Sequence, residues 1–243
     1  MVTETSETAE EFPVDRLAKG PADAVRVLGR GQRWVVVEKP VGLLSVPGRG
    51  PDKADCVRVR IEAMFPEATG SMTVHRLDMD TSGLMVFALS KKAHAKLSRQ
   101  FEHRKTGKSY TALLAGDVEG EEGEVNLPLI VDWPNRPRQH VNYERGKPAQ
   151  TLWRVIGREQ GHDSGYEGAL TRVEFRPVTG RTHQLRVHAA TPRDQGGIGA
   201  AILGDTLYGD PESAPRMMLH AAKLSFWEPF LGDWRKFSSE APF

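Results

Sequence analysis

A chain of 243 residues with 39% apolar side chains is long enough for one large domain or two small ones with a substantial core. The single cysteine, Cys56, excludes an internal disulfide framework and a cysteine-built metal site, and reads as a small buried apolar residue. The net charge of +1 hides an asymmetry: residues 1–15 hold Glu4, Glu7, Glu10, Glu11 and Asp15 with no Lys or Arg, so a net −5 sits at the start and +6 on the rest. An acidic tail on a basic body suits a domain that meets an anionic polymer.

Residues 1–20 are Thr/Glu/Ser-rich without sustained periodicity, and read as a flexible acidic tail that is neither a signal peptide nor a membrane anchor. No run is long enough to span a bilayer, so a soluble, reduced, cytoplasmic protein is expected. Trp34–Glu38 is β-branched and predicts a strand, stopped by Pro40 and Gly42; the Gly/Pro-dense stretch 46–51 predicts a loop. Val57, Ile61 and Met64 recur at helical spacing over about 55–65, with Pro66 after them. A polar segment, His75–Gly83, runs into an apolar strand, Leu84–Leu89.

Ser90 is placed to cap a helix from Lys91 to about Lys105, with Ala93, Leu97 and Phe101 on one face. Lys91, Lys92, Lys96, Arg99, His103 and Arg104 fall on the other, as a solvated surface or as an RNA-facing stripe. Gly107 is expected to close that helix and Tyr110–Ala115 to form a strand. Thr151–Ile156, Ala169–Arg176 and His183–Ala189 read as further strands, with the glycine-rich 157–168 stretch as an exposed hairpin. Without repeats or regular strand–helix alternation, the pattern predicts an α+β fold on a mostly antiparallel sheet.

The segment HRLDMDTSGL (75–84) carries the most chemistry. Asp78 stands close to Arg76 at the mouth of a strand, where a nearby cation favours the ionised carboxylate; such a group acts as nucleophile or base. Asp78 and Asp80 also form an Asp-x-Asp pair that could hold Mg²⁺, though no further carboxylate cluster joins them. The eight histidines lack metal-ligand spacing, and neither a dinucleotide fingerprint nor a Gly-x-Ser-x-Gly elbow is present.

HRLDMDTSGL resembles the signature of the RluA-type pseudouridine synthases, which isomerise uridine in structured RNA. KPVGLLSVPG (39–48) is similar to that family's opening motif, KSYTA (108–112) to its tyrosine strand and GRTHQLRVH (180–188) to its arginine motif. Gly204-Asp205, Tyr208-Gly209 and Leu219-His220-Ala221 resemble its closing blocks, so the likeness runs from about Trp34 to Phe237. It implies a curved mixed sheet with flanking helices and a central cleft, the pseudouridine synthase fold. Residues 21–243 would form one catalytic domain, with no separate N-terminal RNA-binding module. The reaction breaks an N-glycosidic bond, turns the uracil and rejoins it through carbon; neither cofactor nor metal is expected, and the protein is expected to act as a monomer.

The resemblance implies Asp78, Tyr110 and Arg181 as catalytic residues. Asp78 would start the reaction at the sugar or the ring, Arg181 would form the direct ion pair with it, and Tyr110 would stack on uracil and could accept the departing proton. The target base must swing out of its stem or loop. Arg76, His75 and Arg186 are expected to contact substrate. Were His183–Ala189 a strand, Arg181 and His183 would face one way and Gln184 and Arg186 the other.

The stretches 132–139 and 146–151 resemble the dual-specificity branch, implying uridine 32 of a tRNA anticodon loop and a hairpin of 23S rRNA as targets. There Trp133 can stack on a base while Arg136 and Arg138 meet phosphates. Residues 191–201 depart from the family: a longer run without its usual Gly-His-Pro turn, expected to alter the surroundings of Asp205. Two other classes stay open: a non-catalytic RNA-binding or ribosome-assembly factor, and a metal-dependent nuclease or phosphatase using Asp78 and Asp80.

Overall fold

The computed structural model describes residues 24–161 and 166–243; the acidic tail lies outside them, as does the tip of the hairpin. Among the described residues no helix is long and apolar enough to cross a membrane.

A nine-stranded sheet is the frame. Its strands are β1 (Arg26–Gly31), β2 (Trp34–Lys39), β3 (Ser82–Ala88), β4 (Gly107–Ala115), β5 (Glu122–Asn126), β8 (Gln150–Gly161), β9 (Gly168–Pro177), β10 (Leu219–Trp227) and β11 (Trp234–Ser238). They run β1-β2-β3-β10-β4-β9-β8-β5, with β11 also paired to β10. Among these only β3 and β10 pair in parallel; the other pairs are antiparallel, as the sequence pattern predicts. A separate two-stranded ribbon, β6 (Leu129–Val131) with β7 (Gln139–Val141), carries the 132–138 loop.

Period-two alternation on β2 divides the core. Val35 and Val37 join Met85 and Phe87 of β3 under helix α1 (Val57–Met64), beside Val57 and Ile61. Trp34 and Val36 point the other way, onto Ala93 and Leu97 of helix α2 (Lys91–Glu102) and Leu224 and Phe226 of β10. With helices on both faces, all seven residues of β3 are buried, and each large side chain so enclosed contributes roughly 1.5–3 kcal/mol. Ser90 caps α2 through its hydroxyl, which accepts the Ala93 N–H at 3.2 Å. The helix stops at His103, and Gly107 opens β4 rather than closing α2.

A third core lies under β4, β8 and β9 and receives Leu185 and Ala189 from helix α3 (Gln184–Ala190). This helix corrects the sequence reading, which made His183–Ala189 a strand. Seven residues are too few to separate the two periods when nearly all are buried and apolar or aligned with a site. The parallel β3–β10 junction depends on Gly83, whose φ is +114° and where a Cβ would lie 2.4 Å from the Ala221 carbonyl oxygen. Both constraints exclude every other residue type. Asp78 is thereby held where the sheet's direction of pairing changes.

Candidate active site

Two segments of the 39–48 motif splint the Asp78 loop on either side. The Ser45 hydroxyl donates to the Leu77 carbonyl at 2.6 Å and accepts the Leu77 N–H at 3.0 Å. The Met79 carbonyl accepts from Lys39 Nζ at 2.7 Å and from the Gly42 N–H at 3.0 Å. Lys39 is fully buried, and burial lowers its amine to about 7 against the opposing pull of Asp80 and Asp78. The letters of this motif show its likeness to the family but not its role as a splint. The spacing of a lysine and a serine around a Pro-x-Gly turn was the available signal.

The Asp78 side chain keeps 28% of its surface. Its Oδ2 lies 3.7 Å from Arg186 Nη1 and 4.0 Å from His183 Nε2. Arg186, only 3% exposed, also makes a two-pronged pair with the fully buried Asp205, Nε to Oδ2 at 2.8 Å and Nη2 to Oδ1 at 2.6 Å. Burial opposes both charges, yet the mutual hydrogen bonds and attraction prevail, so Arg186 is held above its ordinary value and Asp205 below. The Asp205 carboxylate further accepts the Leu207 and Tyr208 N–H groups, at 2.9 and 3.1 Å.

The expected Asp78–Arg181 pair is therefore corrected: Arg186 faces Asp78, whereas exposed Arg181 donates from Nε to the Pro148 carbonyl at 3.0 Å. Arg186, expected among the substrate contacts, is accordingly placed at the centre, between Asp78 and Asp205. Helical winding is the reason. His183 and Arg186, three residues apart, share one face, while Gln184 turns inward to the Gln150 carbonyl and the Thr151 and Thr179 hydroxyls. His75 also has a different place from the one expected. Its ring stacks on Phe101 at 4.5 Å and its Nε2 accepts the Val86 N–H, with burial lowering it to about 3, so it serves the fold.

Tyr110 packs between the first and third cores. Burial and then the Asp78 charge push its phenol up, which favours the neutral hydroxyl and leaves the ring face as its main asset. Arg76 is exposed two residues before Asp78. On the 132–138 loop Trp133 is 66% exposed, with the Arg136 guanidinium 3.9 Å from its ring centre; Arg138 lies 5.4 Å from the Tyr208 ring. The loop belongs to the same molecular face as the centre, because the Tyr208 hydroxyl accepts the Gln139 N–H at 2.7 Å and meets His183 Nδ1 at 2.8 Å. The run 191–201 folds back on α3, where Ile198 and Ala200 N–H groups bond the His188 and Ala189 carbonyls, and Asp205 stands beyond it in its pair with Arg186.

The site is thus a carboxylate facing a buried arginine, with a tyrosine close enough to feel its charge. The family profile described as RNA pseudouridylate synthase matches residues 33–191. The chain belongs to this family. It is 46% identical to the dual-specificity RNA pseudouridine synthase RluA of Escherichia coli (strain K12), over 89% of this chain and 93% of that one. The protein of the same description from Yersinia pestis is 47% identical, over 89% and 99%. Among solved structures, human RNA Pseudouridylate Synthase Domain Containing 1 superposes with a TM-score of 0.72 at 27% identity, covering 92% of this chain and 86% of that one. The enzyme is thus an RNA pseudouridine synthase, an isomerase, and the catalytic reading prevails over the binding-factor and nuclease alternatives.

Proposed function

We propose that this synthase modifies uridine 32 in a tRNA anticodon loop and a uridine in a large-subunit rRNA hairpin, as a cytoplasmic monomer whose residues 21–243 work as one catalytic unit. The observation that carries the catalytic part is the Asp78–Arg186–Asp205 array, in which a buried, doubly bonded guanidinium faces the one partly open carboxylate. The similarity to relatives described as dual-specificity, together with the exposed Trp133 and Arg136, supports the choice of targets.

In this reading an everted uridine covers Asp78 and stacks on the Tyr110 ring. The C1′–N1 bond breaks, the uracil turns, C1′–C5 forms, and the hydrogen of C5 leaves as N1 gains one. Asp78 starts this sequence, with Arg186 balancing its charge. Arg76 meets the RNA backbone or fills the place the base vacated. Trp133 stacks on a loop base while Arg136 and Arg138 approach phosphates.

Transfer RNA and rRNA fragments tritiated at uracil C5 test both parts. Wild type releases the label, and Asp78→Asn is expected to lose at least about 10⁴-fold in rate. Equal release by the two overturns the role of Asp78. Modified positions outside the anticodon loop and the rRNA hairpin overturn the targets.

A further inference from the structure

The His183 ring lies between Asp78 and the Tyr208 hydroxyl, which in turn holds Gln139 at the end of the 132–138 loop. Its backbone is left-handed, φ +53°, immediately before α3. A non-glycine residue holds that conformation only when its surroundings compel it, at a cost of order 1 kcal/mol or more. The ring is anchored through Nδ1, 2.8 Å from the Tyr208 hydroxyl, and this turns Nε2 toward Asp78 Oδ2, 4.0 Å away.

The hydrogen-bond inventory decides where the imidazole proton sits. A phenol has one hydrogen to give. The Tyr208 oxygen already accepts the Gln139 N–H. Among the described residues His183 Nδ1 is the acceptor within its reach, so the phenol donates there. Burial lowers His183 despite the raising influence of Asp78, which keeps the ring neutral. A neutral ring that accepts at Nδ1 carries its hydrogen on Nε2, on the side of Asp78.

We infer that His183 is a positioning residue. Its Nε2–H, set in that tautomer by Tyr208, holds Asp78 Oδ2 in concert with Arg186 and leaves Oδ1 as the oxygen offered to the nucleotide. The 4.0 Å separation is longer than a hydrogen bond and closes when the RNA covers the cleft. The Tyr208 ring is itself kept in place by two guanidinium groups, Arg138 at 5.4 Å and Arg186 at 5.2 Å. The relay thus runs from the 132–138 loop through Gln139, Tyr208 and His183 to the carboxylate.

The inference rests on the reading that Asp78 reacts, so Asp78→Asn is measured alongside. Activity in Asp78→Asn would defeat that reading; an inactive Asp78→Asn with unaffected relay variants would defeat this one alone. In steady-state kinetics with RNA in excess, His183→Leu is expected to lower kcat about 10- to 100-fold with KM within about threefold. His183→Gln, which can place an amide N–H near the former Nε2, should recover most of that loss. Both substitutions carry the same left-handed backbone, so equal losses would mark the ring as merely structural and overturn the inference. Nitrogen-15 spectra of the histidine rings supply an independent readout near neutral pH. Wild type should show His183 protonated at Nε2 and bare at Nδ1, and Tyr208→Phe should shift that balance. The opposite tautomer in wild type would overturn the assignment.

Discussion

Around Asp78 the cation is buried and engaged on both sides, whereas on the 132–138 loop the cations lie on aromatic rings at the surface. Arg186 keeps 3% of its side-chain surface and grips Asp205 through two nitrogens. Arg136 is exposed and rests on Trp133, itself 66% exposed. The first arrangement is dear to disturb because a buried charge without its partner has no water to fall back on. The second is inexpensive to remodel, since screened surface charges and half-wet rings exchange one neighbour for another at little cost. Chemistry is thus built on the rigid part and recognition on the adaptable part.

The sharpest way to break this contrast is to remove the buried cation. Arg186→Met leaves Asp205 enclosed with only two N–H groups to balance it. It should destabilise the protein by about 3–5 kcal/mol in urea titration and abolish label release. Arg181→Ala, which removes an exposed side chain bonded to one carbonyl, should change stability by less than about 0.5 kcal/mol. Similar losses from the two would mean that the Asp78 partner lies at Arg181 after all.

That pair of variants also marks how far the sequence was legible. Trp34–Glu38 and the α2 cap at Ser90 were readable from a β-branched run and a cap residue, and β4 was readable from Tyr110 onward, although it begins at Gly107. The Asp78 loop was readable from its letters. The identity of its arginine was not: α3 is short and nearly all buried, so its pattern carries neither period, and a wrong period turns every side chain to the wrong face. Asp205 and Tyr208 were quoted within motifs but had no role, because each acts through Arg186 or His183, contacts that only the folded chain brings together.

Acid should act on the buried framework before it reaches the loop. His188 and His220 are held at about 4 by burial, against 6.5 for the ordinary ring. His220 bridges the Ser82 and Ser239 hydroxyls, and His188 meets Thr151. Below pH 6.5 the unfolded chain takes up protons that these two rings refuse in the folded chain, so their share of the stability falls as pH drops from about 6.5 to about 4 and levels off beneath. Each ring accounts for on the order of 3 kcal/mol over that window. Replacing His220 by Gln should flatten part of the slope in urea titrations at stepped pH; an unchanged slope would remove it from the account.

On the adaptable side, Trp133→Ala should raise KM about 10-fold, the worth of one base stacked on an aromatic face, with kcat kept within about twofold. A fall in kcat of the Arg186 kind would erase the distinction between the two regions.

The smallest effects should come from the loop arginines, and these sharpen the comparison most finely. Each begins on a ring, Arg136 on Trp133 and Arg138 on Tyr208, so meeting a phosphate replaces one favourable contact with another and the net gain is modest. Arg136→Ala should weaken RNA binding only a few-fold at about 0.1 M salt and reduce the slope of log affinity against log salt by about 1. Arg138→Ala should do the same and, in addition, lower kcat about two- to fivefold, because its guanidinium also steadies the tyrosine that sets His183. A kcat effect shared equally by the two arginines, or absent from both, would separate the loop from the catalytic carboxylate and leave the surface and the centre independent of each other.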